Sequence, residues 1–140
     1  MANLNAAVAV SLMQTLGENI AARRACVRAY QDLLGDDERL ELIQHQNGSA
    51  CLTQVVRVLS QRRGDDPASS VIEALGRAGY EVQGSYIPIH LLSVYERFVR
   101  APLPQAEGIW GDLVELPCEP DVTLDRVERI AAVVKRVLRS

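Results

Sequence analysis

The first 34 residues carry a helical repeat that is long for the size of the chain. One face of the segment is apolar at intervals of four residues: Leu4, Val8, Leu12, Leu16 and Ile20. This spacing, continued to Leu34, predicts a helix over residues 3–34, about 48 Å long at 1.5 Å per residue. A domain of 140 residues is only about 35–40 Å across. The helix therefore overhangs its own domain unless Gly17 breaks it.

The start of this helix is apolar on more than one face. Alanines and a methionine lie beside the main stripe: Ala6, Ala7, Ala9 and Met13. A helix that is apolar all round is normally buried on all sides, and one small domain does not supply that much cover. We therefore expect this helix to pack on something outside the chain through an interface of Leu4, Val8, Leu12 and Met13.

Capping signals delimit the helices. Gly35 is predicted to end the first helix as a left-handed C-cap. Asp66 and Pro67 are predicted to open a second helix that closes at Gly79. Thr123 is predicted to cap a last helix, whose apolar residues follow a 3.6-residue period.

Three segments have the composition of strands: Cys51–Leu59, Tyr80–Tyr86 and 114–117. A short helix follows the turn at Pro88, and the stretch after it is ambiguous because two glycines weaken a helical pattern. The order α-β-α-β-α-(α)-β-α predicts an α/β sandwich with a small sheet. Residues 1–35 form the long helix and residues 36–140 the α/β body, in one domain overall.

Charge, hydropathy and cysteine count exclude several classes of protein. The net charge is −3 and the arginines are interleaved with acids, so we expect no nucleic-acid partner. No stretch approaches the roughly 20 apolar residues of a membrane span, and the N terminus lacks the basic start of a secretory signal. Three cysteines without CxxC spacing, Cys26, Cys51 and Cys118, indicate neither a disulfide framework nor a zinc site. These features predict a cytoplasmic protein that does not bind a membrane.

Few residues can carry chemistry. Lys135 is the only lysine, so Schiff-base chemistry must use it or a lysine from another chain. Neither His45 nor His90 has an acid or cysteine at metal-ligand spacing, so no metal site is predicted. Cys26 and Cys51 are interpreted as core residues, although a Cys–His nucleophile pair stays open.

Three other features have ordinary structural interpretations. Asp36-Asp37 are interpreted as solvated turn residues, and Arg23-Arg24 as a solvated or interface face of the first helix. The single tryptophan, Trp110, is either a core residue or an exposed anchor, and the sequence does not decide between them.

The densest group of polar and aromatic side chains is Tyr86-Ile87-Pro88-Ile89-His90. A proline-rigidified loop that holds Tyr and His is the kind of place where side chains face a ligand. The alternative is a proline turn whose Tyr and His satisfy local backbone groups, and the residues alone favour that alternative.

A resemblance adds to these patterns. Residues 79–95, GYEVQGSYIPIHLLSVY, resemble the G-I-x-T-x-x-H-Y-x-P-x-H-x-x-x-x-Y segment of the DegT/DnrJ/EryC1/StrS aminotransferases, which are fold-type I, pyridoxal-phosphate-dependent enzymes. The stretch from Pro102 resembles the family's closing P-x-A-E…L-P-L-x-P-x-L-T-x-x-x-V-x-x-I run. Residues 1–30 resemble the helix that leads into the family's small domain. The resemblance is collinear over nearly the whole chain.

The resemblance implies that the chain is the small domain of such an enzyme. It implies a long N-terminal helix and a small, about three-stranded, mainly antiparallel sheet covered by helices. In the family, a preceding large domain supplies the Schiff-base lysine and the cofactor-binding residues, and Met1 falls immediately after it. Pyridoxal phosphate would then be held by a partner chain and not by this chain alone. Lys135 does not match the family's lysine, so no catalytic residue is assigned.

The resemblance also implies three residue roles. Tyr86 and His90 match the Tyr and His of Y-x-P-x-H and are expected to bind substrate, while Pro88 shapes their loop. The sequence departs from the family pattern at Ser85, where His is frequent, and at Val82-Gln83, where Thr or Arg is common.

Two functions follow from this resemblance. The first is the small subunit of a split aminotransferase that acts on a keto-sugar, cyclitol or related natural-product precursor, in a heterodimer or heterotetramer with a larger cofactor-binding subunit. The second is a non-catalytic regulatory or stabilising module derived from such a small domain.

Overall fold

The computed structural model describes residues 3–46, 48–59 and 66–139. Met1, which the resemblance places immediately after the family's large domain, lies outside the described residues. The elements of the described part are α1 (Asn3–Gln14), α2 (Leu16–Leu34), β1 (Leu40–Leu42), β2 (Thr53–Val58), α3 (Pro67–Arg77), β3 (Gln83–Gly84), α4 (Pro104–Trp110), β4 (Leu113–Pro117) and α5 (Leu124–Val137). Two 3-10 helices, Ile89–Leu91 and Ser93–Phe98, lie between β3 and α4.

The four strands of the described chain form one antiparallel sheet in the order β1-β2-β4-β3. Strands β2 and β4 pair at its centre, with Val56 opposite Val114. Alternate residues of these strands are buried, Val56 and Val58 in β2 and Val114 and Leu116 in β4. Because side chains alternate across a strand, one face of the sheet lies in the core and the other faces outward.

Helices α2, α3 and α5 form the layer over the buried face. The largest fully buried side chains include Tyr30 of α2, Leu75 of α3 and Ile130 of α5, and α5 contacts both of the other helices. The Tyr30 hydroxyl donates a 3.3 Å hydrogen bond to the carbonyl oxygen of Pro117 at the end of β4. The predicted fold class, α/β with a small antiparallel sheet covered by helices, is confirmed.

Predicted caps are confirmed at two helices. The Asp66 carboxylate accepts the backbone N–H of Ser69 at 3.0 Å, with Pro67 in the first turn of α3. After α3 the chain turns at Gly79, which has φ +83°, a conformation that glycine adopts without strain. The Thr123 hydroxyl oxygen accepts the backbone N–H of Arg126 at 3.2 Å and caps α5.

The predicted single helix over residues 3–34 is two helices. Thr15 separates them with φ −104° and ψ 3°, and its hydroxyl donates to the carbonyl oxygen of Leu12 at 3.4 Å. A threonine side chain that bonds to nearby backbone competes with helix continuation. Gly17, the predicted break, lies within α2. No helix in the described ranges is long and apolar enough to cross a membrane.

The prediction that Gly35 is a left-handed C-cap is wrong. Gly35 has right-handed angles, φ −65° and ψ −24°, and its N–H donates to the carbonyl oxygen of Gln31 at 2.9 Å. A Cβ atom here would lie 2.5 Å from that oxygen. Glycine is therefore required by the close approach of backbone, and not by a positive φ.

The strands also differ from the sequence pattern. Strand β1, Leu40–Leu42, was not predicted, because three residues are too few to show an alternating pattern. The predicted strand Tyr80–Tyr86 pairs with β4 only at Gln83–Gly84. Cys51, predicted to lie in a strand, precedes β2 and has a left-handed φ of +53°.

Three residues of the two charged pairs, Arg23, Arg24 and Asp37, have backbone or ionic partners, whereas Asp36 is exposed, as its interpretation as a solvated turn residue requires. Arg23 donates to the carbonyl oxygen of Leu52 at 2.8 Å and Arg24 to that of Ser49 at 3.1 Å, which ties α2 to the loop before β2. The Asp37 carboxylate, 13% exposed, accepts two hydrogen bonds from the Arg39 guanidinium at 2.7 and 2.8 Å.

Candidate functional site

Residues 85–103, here called the β3–α4 segment, carry the Tyr and His that the sequence singled out. The segment begins directly after Gly84 of β3 and ends just before α4. Pro88, with φ −52° and ψ 131°, leads into the first 3-10 helix, and its loop-shaping role stays a prediction. Every residue of the segment is exposed or half-buried, so the segment lies outside the core.

Trp110 fixes one end of the β3–α4 segment. Its indole Nε1–H donates a 2.8 Å hydrogen bond to the carbonyl oxygen of Ser85, and the side chain is half-buried at the end of α4. Trp110 is therefore an anchor between α4 and the segment, a role that the sequence left undecided.

His90 makes a second contact between the β3–α4 segment and α4, in addition to that of Trp110. The His90 side chain is 13% exposed, and its Nε2 lies 3.0 Å from Oε1 of Glu107. The same carboxylate oxygen accepts the backbone N–H of Leu103 at 3.0 Å. The Leu103 N–H and then the His90 ring lower the pKa of Glu107 below its ordinary value, because both hydrogen bonds favour the ionised carboxyl group.

Tyr86 and His90 face different surroundings although they are four residues apart. Tyr86 is 82% exposed and makes no hydrogen bond within the described residues. His90 instead packs toward α4 through Glu107. The structure therefore does not join the two predicted substrate-binding residues directly, and their substrate contacts stay a prediction.

An open, mostly apolar groove of ≈ 840 Å³ lies beside His90. Its lining residues are Ile89, His90, Tyr95, Phe98, Val99, Arg100, Ala101 and Leu103. The guanidinium of Arg97 lies 4.7 Å from the centre of the Phe98 ring, within range of a cation–π contact. Apolar concavities with a few polar groups are typical of small-molecule sites, and His90 and Arg100 supply such groups here.

Helix α1 presents a second apolar surface. It contains no buried residue, and the four predicted interface residues are exposed: Leu4, Val8, Leu12 and Met13. Contiguous exposed apolar side chains are typical of an interaction surface. The identity of what covers them stays a prediction.

The cysteines have the environment of core residues. Burial raises the pKa of Cys26, and it raises that of Cys118 to about 12. The thiolate is the reactive form of cysteine, so these two thiols are poor nucleophiles. The described residues contain no group of three or more His, Cys, Asp or Glu arranged to hold a metal ion.

Comparison with known proteins identifies the family. The sequence profile of the DegT/DnrJ/EryC1/StrS aminotransferase family matches residues 1–135. The chain belongs to this family. A UDP-4-amino-4,6-dideoxy-N-acetyl-beta-L-altrosamine transaminase of Helicobacter pylori is 32% identical over 71 residues, which are 50% of this chain and 19% of that protein.

Solved aminotransferase structures share the fold. PseC of Helicobacter pylori, an aminotransferase involved in the biosynthesis of pseudoaminic acid, matches with a TM-score of 0.81 and 19% identity over 93% of this chain. A Streptococcus pneumoniae protein solved in its PMP form matches with a TM-score of 0.80, also at 19% identity and over 93% of this chain. The chain spans 35% of the first protein and 33% of the second, so it corresponds to about one third of these relatives.

The family implies pyridoxal phosphate, but the described residues do not fit that cofactor by themselves. Lys135 lies half-buried near the end of α5, in a polar groove of ≈ 530 Å³ away from the β3–α4 segment. The groove is lined by four acids, Asp32, Asp36, Asp37 and Glu38, and by three bases, Arg39, Lys135 and Arg139. The acids outnumber the bases, and the Arg39 guanidinium is already paired with Asp37, so this groove lacks the net positive charge that favours a phosphate group.

Sequence patterns contain little indication of the role of Glu107. The residue lies 17 positions from His90, so no local pattern links the two. Its one sequence signal is that it matches the Glu of the family's P-x-A-E motif, to which the resemblance assigns no role. Folding of α4 against the β3–α4 segment brings the two side chains together.

Proposed function

We propose that this chain is the small subunit of a split pyridoxal-phosphate-dependent aminotransferase. It would complete the active site of a separate, cofactor-binding large subunit in a heterodimer or heterotetramer. The substrate class is a keto-sugar, cyclitol or related natural-product precursor, in line with the sugar chemistry named for the Helicobacter pylori transaminase.

The observation that carries the proposal is a pair of uncovered apolar surfaces on a well-packed core. Leu12 of α1 is 61% exposed, and Phe98 of the β3–α4 segment is 63% exposed. Burying apolar surface contributes about 25 cal/mol per Å², so both surfaces favour association with a partner. A large cofactor-binding subunit of the same family is the partner whose chemistry this chain would complement.

The cofactor assignment follows from the single lysine. Lys135 lies in a groove that four acids and two arginines also line, without a net positive charge to hold a phosphate group, so we place the Schiff-base lysine and the phosphate site on the large subunit. When bound there, the cofactor would supply the electron sink for amino-group transfer. The part of this chain is to present Tyr86 and His90 to the substrate.

The first experiment tests assembly. We would co-express the chain with cofactor-binding family members encoded next to it and measure the complex by light scattering. Leu12→Glu is expected to abolish the complex, because it places a charge on the apolar surface. The matched control is Gln14→Glu, which changes an exposed residue of the same helix that is already polar. This control variant should still assemble. A cofactor domain encoded in the same reading frame would contradict the split arrangement, as would a Schiff base formed by Lys135 in the isolated chain.

The second experiment separates the two functions. In the assembled complex, His90→Ala and Tyr86→Phe should lower kcat/KM by at least about ten-fold, which corresponds to about 1.4 kcal/mol of barrier. Unchanged kcat/KM with intact assembly would instead support the non-catalytic module. That alternative is favoured by the departures from the family pattern at Ser85 and Val82-Gln83.

A further inference from the structure

One carboxylate oxygen of Glu107 contacts two nitrogen atoms. Oε1 lies 3.0 Å from Nε2 of His90 and 3.0 Å from the backbone nitrogen of Leu103. Leu103 is the residue that precedes α4, and Glu107 lies four residues later, one turn into the helix. The arrangement resembles a capping box, in which a side chain near the helix start reaches back to the first N–H.

This geometry assigns the proton on the His90 ring. A backbone N–H can only donate, so Oε1 accepts from Leu103. The hydrogen bond from the Leu103 N–H lowers the pKa of Glu107, which keeps the carboxyl group ionised and without a proton to donate. Nε2 of His90 must therefore carry the hydrogen of that contact, and in the neutral ring Nδ1 is then the hydrogen-bond acceptor.

The remaining ring nitrogen belongs to a side chain that lines the apolar groove. His90 borders the ≈ 840 Å³ groove of the β3–α4 segment, and Nδ1 has no hydrogen-bond partner within the described residues. The Trp110–Ser85 hydrogen bond of 2.8 Å holds the start of the same segment on α4. Both contacts restrict the orientation of the ring relative to the groove.

We propose that Glu107 is a positioning residue that holds His90 as the Nε2–H tautomer, so that Nδ1 accepts a hydrogen bond from a hydroxyl or amino group of the ligand. The tautomer assignment rests on the two contacts of the ionised Glu107 carboxylate and needs no partner chain. The ligand contact rests on the proposed function, because it needs the completed site. Glu107 thereby has a positioning role, and the ligand must carry a hydrogen-bond donor that reaches Nδ1 of His90.

The tautomer is tested on the full chain without any partner. We would record long-range ¹H–¹⁵N spectra of the imidazole rings at a pH at which the ¹⁵N chemical shifts show that the His90 ring is neutral. The spectrum of His90→Gln would show which signals belong to His90 and which to His45. The wild type should show a protonated Nε2 and a bare Nδ1. A protonated Nδ1 in the wild type would overturn the assignment.

Variants at Glu107 separate positioning from general packing. Glu107→Ala removes the acceptor and should shift both ring nitrogens toward the tautomer mixture of free imidazole, with at least about ten-fold faster exchange of the Nε2 proton. Glu107→Gln keeps an accepting oxygen and should restore the wild-type spectrum. The matched control Glu96→Ala removes an exposed acid of the same segment and should leave the His90 signals unchanged. Wild-type ring signals in Glu107→Ala, or failure of Glu107→Gln to restore them, would contradict the proposal.

The ligand contact is tested in the assembled complex. Glu107→Ala should lower kcat/KM at least about ten-fold through KM, and Glu107→Gln should stay within about two-fold of the wild type. Wild-type values of kcat and KM in Glu107→Ala would contradict the proposed ligand contact. They would not affect the tautomer assignment, which the spectra of the isolated chain test separately. Failure of any complex to form would count against the proposed function, and the spectra of the isolated chain would still decide the tautomer.

Discussion

The indole of Trp110 donates its Nε1–H to the carbonyl oxygen of Ser85 at 2.8 Å. This bond joins the end of α4 to the start of the β3–α4 segment, whose residues lie outside the core. Since the segment has little burial of its own, its order depends on a few contacts with α4. Trp110 and Glu107 provide two of them, one at Ser85 and one at His90 and Leu103.

Trp110→Phe should loosen the β3–α4 segment with little effect on the core. The variant keeps a ring but removes the donor to Ser85, at a cost of about 1 kcal/mol for an ordinary hydrogen bond. We expect faster tryptic cleavage at the exposed Arg97 and Arg100, and an unchanged rate at Arg77 on α3. An equal increase at all three sites would indicate global destabilisation instead.

Arg24→Ala should destabilise the loop before β2. The Arg24 side chain donates to the carbonyl oxygen of Ser49 at 3.1 Å, next to Cys51 with its left-handed φ of +53°. We expect a loss of about 1 kcal/mol in the free energy of unfolding by urea denaturation. The matched control is Arg28→Ala, an exposed arginine one turn further along α2, which should stay within about 0.5 kcal/mol of the wild type.

Asp37→Asn should remove an acid-sensitive part of the stability. The Arg39 side chain lowers the pKa of Asp37 below the ordinary value of 3.8, so the folded state favours the ionised carboxyl group. This contribution is fully present above that ordinary value and is lost as the pH falls through the lowered folded-state pKa. The difference in Tm between wild type and Asp37→Asn should therefore be largest near neutral pH and shrink below about pH 4. A difference that does not change with pH would show that Asp37 does not contribute through its charge.

Cys118 should resist alkylation in the folded protein. Burial raises the pKa of Cys118 to about 12, so about one thiol in 10⁴ is ionised at pH 8, and the side chain is fully enclosed. Mass spectrometry after iodoacetamide treatment should find Cys118 unmodified in native protein and modified in urea. Rapid labelling of the native protein at Cys118 would show that the core opens locally.

Elements with a strong local signal could be predicted from the sequence. The caps at Asp66 and Thr123 use a side-chain oxygen within three residues of its N–H partner, and the apolar period of α5 lies on one helix. Family membership could be predicted as well, because its motifs are short and collinear. In each case, residues close in the chain carry the information.

Features that depend on distant residues could not be predicted in this way. Strand β1 exists because β2 pairs with it, and the three residues of β1 carry no pattern of their own. Gly35 is required because α2 brings the carbonyl oxygen of Gln31 close to it, although a left-handed cap is the common reason for a glycine there. The Arg24–Ser49 contact spans 25 residues, so Arg24 could be predicted only as part of a charged face.

The sequence alone was enough to predict the apolar period of α5, the caps at Asp66 and Thr123, the family, and the placement of Tyr86, Pro88 and His90 on one loop. The contact that His90 makes could be seen only in the folded structure, because its partner Glu107 lies on a separate helix. Periodicity and capping are local and follow from neighbouring residues along the chain. A hydrogen bond between two elements forms only when packing of the whole domain sets their distance and orientation.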